Sequence, residues 1–122
     1  MAFSPEDRVV LVYDSDHGVL GDLVHLAEKL VGGGECALCD ITHGGVREKA
    51  SFRACRESFP LPLETRYRDQ ASSAMRAAAV VWPAALLVRG DGSVTRLLDR
   101  DALRTLGGDV DALRAALVAA LR

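Results

Sequence analysis

Two cysteines and a histidine share one short stretch of this chain, Glu35-Cys-Ala-Leu-Cys-Asp-Ile-Thr-His43, which the pair Gly44–Gly45 follows. Cys36 and Cys39 stand in Cys-x-x-Cys spacing, and His43 comes four residues after the second. Three readings of this set are open. As a dithiol redox or redox-sensing pair, one cysteine attacks as thiolate and the other resolves the mixed disulfide. As a metal site, Cys36, Cys39 and His43 supply ligands for zinc, with a fourth still needed from elsewhere for a closed site. As core, the two thiols simply pack as small apolar groups.

Geometry bears on all three. Ala37-Leu-Cys-Asp-Ile-Thr42 reads as a strand that Gly44 and Gly45 end. In a regular strand two residues three positions apart lie roughly 10 Å from each other and point to opposite faces. A disulfide needs Cα atoms within about 7 Å. The pair, or a metal held by it, therefore requires the strand to begin after Cys36 and the chain to turn at Ala37–Leu38. Cys55 is simpler: with Phe52 and Phe59 it falls on one apolar helical face, as a core residue would.

The elements that must position this stretch are read from periodicity. Val9-Val-Leu-Val-Tyr13 is a continuous apolar run, expected of a strand buried on both faces. Asp14-Ser-Asp-His-Gly18 breaks it, and Leu20, Leu23, Val24, Ala27 and Val31 follow at helical spacing before Gly32-Gly-Gly34. After the presumed second strand, Val46 to Phe59 is helical, with Pro60 and Pro62 preventing continuation. Leu63, Thr65 and Tyr67 alternate with charged residues, which suits an edge strand. Ser72 or Ser73 opens a short helix to Ala79. Val80 to Val88 and Ser93 to Leu98 flank Asp91–Gly92 and predict a β-hairpin. Asp99 or Asp101 opens a helical turn closed by Gly107–Gly108, and Asp109 or Asp111 caps a last helix carrying Val110, Leu113, Leu117 and Leu121.

Length and composition bound the rest. The 122 residues suit one domain spanning 1–122, with 49% hydrophobic and 26% charged residues. The net charge of -2 is mixed along the chain, without the basic stripe of a nucleic-acid binder. No apolar run reaches the ~20 residues of a membrane span. The opening Met-Ala-Phe-Ser-Pro-Glu-Asp-Arg lacks the layout of a secretory signal, and three cysteines do not make a disulfide scaffold. A cytoplasmic protein, with a protein or small-molecule partner and neither nucleic acid nor membrane, is expected.

The element order, β-α-β-α, an extra strand and short helix, a β-hairpin and a terminal helix, resembles the thioredoxin-like superfamily, a three-layer α/β/α fold with a central mixed sheet. Pro83 entering a strand, the hairpin at Asp91–Gly92 and the last helix carry the likeness, which implies a cis Trp82–Pro83 bond beside the active loop. Tyr13-Asp-Ser-Asp-His-Gly-Val-Leu20 is similar to the Tyr-Asp-Gly-Asp-Cys-Gly-Phe-Cys signature of DCC-type thioredoxin-like proteins, with His17 and Leu20 where the cysteines would stand. The standard active-site pair is therefore lacking. Cys36-Ala-Leu-Cys-Asp-Ile-Thr-His-Gly44 is similar to a Cys-x-Leu-Cys-x-Leu-Thr-His-Gly pattern of small bacterial thioredoxin-like proteins, a likeness that implies membership and no activity.

Topology adds a second candidate site. Two parallel strands joined by a crossover end at the same edge of a sheet, where open α/β sheets bind their ligands. Asp14, Asp16 and His17 after the first strand, His43 after the second, and Trp82 and Pro83 at the entry to another are expected to meet there. Such an edge suits a non-catalytic binding module; Asp14 and Asp16 would otherwise serve only as helix caps. No organic cofactor is implied, and zinc enters only with the metal reading.

Overall fold

The computed structural model describes residues 3–14, 38, 41, 43–44 and 47–122. Among these, a four-stranded mixed sheet is formed by β1 (Arg8–Tyr13), β4 (Leu63–Tyr67), β5 (Ala84–Val88) and β6 (Val94–Leu98) in the order β4-β1-β5-β6. Two further short strands, β2 (His43–Gly44) and β3 (Arg47–Glu48), pair only with each other. Four described helices accompany them: α1 (Ala50–Ser58), α2 (Ser73–Ala79), α3 (Arg100–Thr105) and α4 (Val110–Ala120).

β1 is the axis of the sheet. It pairs parallel with β4, from Val9 opposite Leu63 to Tyr13 opposite Tyr67, and antiparallel with β5, from Arg8 opposite Val88 to Val12 opposite Ala84. Having neighbours on both sides and helices over both faces, it is buried along Val9–Tyr13, which is why its sequence is continuously apolar rather than alternating. Its side chains still divide by the two-residue period of a strand. Val9, Leu11 and Tyr13 join Phe52, Cys55 and Phe59 and the buried leucines of α4 on one face, while Val10 and Val12 join Met75 and Ala79 of α2 on the other. The chain thus forms an α/β fold with helices on both faces of a mixed sheet.

Local chemistry sets several boundaries. Among the alternatives open at each helix start, Ser72, Asp99 and Asp109 do the capping: the side chain of Ser72 accepts from the Met75 amide, Asp99 from Ala102, and Asp109 from Asp111 and Ala112. The hairpin forms as expected, with Gly92 at φ 91° and the Asp91 carboxylate accepting from the Ser93 amide at 2.9 Å. Its first strand begins at Ala84, so Val80–Pro83 lie ahead of it as a connector. The Trp82–Pro83 bond is cis.

One expectation is overturned. Leu38 and Ile41 are helical and fully buried, where the second strand of the sheet was expected. The parallel neighbour of β1 is β4, the strand whose charged side had marked it as an edge. The physical reason lies in spacing: Leu38 and Ile41 are three apart, which places both on one face of a helix but on opposite faces of a strand. Both join the core beside Phe52. The helix expected over about 19–31 falls outside the described residues.

Candidate functional site

The chain returns from β1 to β4 by way of α1 on one face, and from β4 to β5 by way of α2 on the other. Connections that leave adjacent parallel strands toward opposite faces open a crevice at the strands' carboxyl ends. Asp14 follows β1 and Arg68 follows β4, and the Arg68 Nη1 donates to Asp14 Oδ1 at 3.1 Å. Just inside them the Tyr13 and Tyr67 rings lie 5.4 Å apart at 51°, a tilted geometry typical of attractive aromatic pairs. The antiparallel register ends with Val12 opposite Ala84, so Trp82–Pro83 arrive at this same end of the sheet.

Asp14, Trp82 and Pro83 therefore lie at the same end of the sheet. Pro83 is buried, Trp82 is half-buried against the core face that holds Ala84, and Asp14 is half-buried. The Asp14–Arg68 pair is exposed enough for water to reach both partners, so it orients two side chains more than it stabilises the fold.

The backbone of His43 belongs to β2, opposite Glu48 in a two-residue ladder separate from the central sheet, rather than following a strand of that sheet. Asp16, His17, Cys36 and Cys39 lie outside the described residues. Cys55 is buried in the core beside Phe52 and Phe59. Among the described residues no cluster of His, Cys, Asp or Glu side chains is arranged to hold a metal ion, and of the zinc set Cys36 and Cys39 are not among them.

Sequence reasoning missed Arg68, Tyr67 and Val80. Arg68 was within reach: had Leu63–Tyr67 been taken as the parallel partner of β1, the same strand-end rule would have named the residue after it. Val80 gave a weaker signal, a β-branched residue closing an alanine-rich helix where glycine is usual. It adopts φ 67° and ψ -55° and, with Val81, is the large apolar surface left open among the described residues, 74% and 47% exposed.

Compared with family profiles, curated proteins and solved structures, the chain matches none. Among the described residues no helix is long and apolar enough to cross a membrane.

Proposed function

We propose that this chain is a thioredoxin-like domain without the standard active-site cysteines, and that it works as a binding module through the carboxyl edge of β1 and β4. The strand order β4-β1-β5-β6 supports the family reading, with one parallel pair, a closing hairpin, helices on both faces and Pro83 at the entry to β5. The observation that carries the functional reading is the Asp14–Arg68 pair, contributed by two strands at the point where their connections part. Together with Trp82 it offers a donor, an acceptor and an aromatic surface to a polypeptide or small polar ligand.

A second reading keeps thiol exchange at Cys36 and Cys39, and one observation favours it. Leu38, between the two cysteines in sequence, is helical, where an extended residue was expected. On that reading two thiols lose two protons and two electrons to a disulfide substrate, whose sulfurs leave as two thiols.

Affinity capture from cell extract, followed by mass spectrometry and by thiol counting of the bait, separates the two. The binding reading expects a doubly substituted Cys36→Ser, Cys39→Ser bait to keep its partners, and Trp82→Ala and Asp14→Ala baits to lose them while still melting cooperatively. Loss of partners on cysteine substitution alone, with reversible loss of two thiol protons under mild oxidant, assigns the activity to the thiols instead.

A further inference from the structure

Val80 is held in a conformation that valine rarely adopts. At φ 67° and ψ -55° it lies outside the left-handed helical region, and the Val81 amide donates to the Ala79 carbonyl at 2.8 Å across it. An i to i+2 bond with these angles is the strained form of the γ-turn. A positive φ is a genuine outlier for a β-branched side chain. Packing of the Val80 side chain does not repay it, since that side chain is 74% exposed. Strain of this kind persists where the surroundings over-determine the backbone.

The surroundings here are fixed on both sides and loose between. Ala79 is 1% exposed and Ala84 is fully buried, with Pro83 also buried. Between them Val80 and Val81 stand in solvent and Trp82 is half-buried. The Ala79 carbonyl also accepts from Arg96 Nη1 of β6 at 3.2 Å. Should the Val81 amide let go, that carbonyl keeps a charged donor, and Val81 itself is 47% exposed. Releasing the turn thus costs no orphaned buried acceptor and relieves the strain at Val80.

We propose that Ala79–Trp82 is a two-state hinge, in which Val80 passes between the strained turn and a relaxed conformation with negative φ, swinging Trp82 at the carboxyl edge. The device belongs to the free protein and does not rest on what binds there. It makes the shape of the edge adjustable beside a rigid sheet.

Trp82 is the chain's single tryptophan, so its fluorescence reports the hinge directly. Temperature-jump fluorescence of the wild-type chain is expected to show a relaxation faster than unfolding. Val80→Gly, which takes positive φ without strain, is expected to abolish most of that amplitude and to raise the hydrogen-exchange protection of the Val81 amide roughly tenfold. Arg96→Ala raises it too, because release of the turn then leaves the Ala79 carbonyl without its second donor. Val80→Ile, equally strained, behaves as wild type. The proposal is overturned by a wild-type chain without a relaxation and equal Val81 protection in all four proteins.

Discussion

Two aspartates bracket β1, and they sit in opposite environments. Asp7, just before the strand, is 4% exposed and accepts from the Ser4 amide at 3.0 Å, the Ser4 hydroxyl at 2.9 Å and the Gly90 amide at 2.9 Å. Asp14, just after it, is half-buried and meets the Arg68 guanidinium at a surface open to water. At the Asp7 end the amino-terminal segment is tied to the β5–β6 hairpin. At the Asp14 end lie an ion pair in water, two exposed valines and a strained turn. One strand thus carries a lock at its start and an open edge at its finish.

The largest expected effect that could break this contrast is at the lock. Asp7→Ala leaves the Gly90 and Ser4 amides without their acceptor and is expected to lower the melting temperature by roughly ten degrees. The same site should contribute to the acid limb of stability. The Gly90 amide, then the Ser4 amide, holds the Asp7 carboxyl below its ordinary value of 3.8. A depressed native pKa contributes stability that is complete above the unfolded value and is lost as pH falls from there through the native one. Melting temperature should therefore fall below about pH 4 in the wild type and more shallowly in Asp7→Asn. Parallel acid limbs in the two proteins would remove Asp7 from its role.

Next in size is Gly90, on the hairpin side of the lock. A Cβ there would sit 2.8 Å from the Glu6 Cβ and 2.6 Å from its Oε2. The first is not the end of a flexible side chain, so the segments must part. Chemical denaturation of Gly90→Ala is expected to show a loss of about 1–3 kcal/mol. The smallest effect belongs to the open edge. Asp14→Ala should cost less than about 1 kcal/mol by the same measurement, as surface ion pairs do. A cost at Asp14 matching that at Gly90 would erase the distinction between a structural end and a working end.

Much of this architecture was legible from local pattern. The buried run Val9–Tyr13, the hairpin about Asp91–Gly92, the short helix ending at Ala79 and the last helix follow from periodicity, turn residues and caps acting over a few positions. The candidate edge was legible in part. Asp14, Trp82 and Pro83 adjoin strands of the central sheet, whereas the strand expected to carry His43 is helical at Leu38 and Ile41. A short stretch such as 37–42, with Leu38 and Ile41 among small and polar residues, supports either form, and spacing alone decides it only when the partner surface is known.

The sequence by itself determined where the chain extends, coils and turns, since side-chain period and backbone φ preference are properties of neighbouring residues. It also determined that no thiol stands at the junction after β1. Which strand lies parallel to β1 was decided only by the tertiary structure, because pairing depends on which apolar faces are buried together across the fold. The pairing of Asp14 with Arg68, 54 positions apart, and the unusual φ of Val80 belong to that second class. Each is imposed by elements packed around it, and no local preference of aspartate, arginine or valine would have produced it.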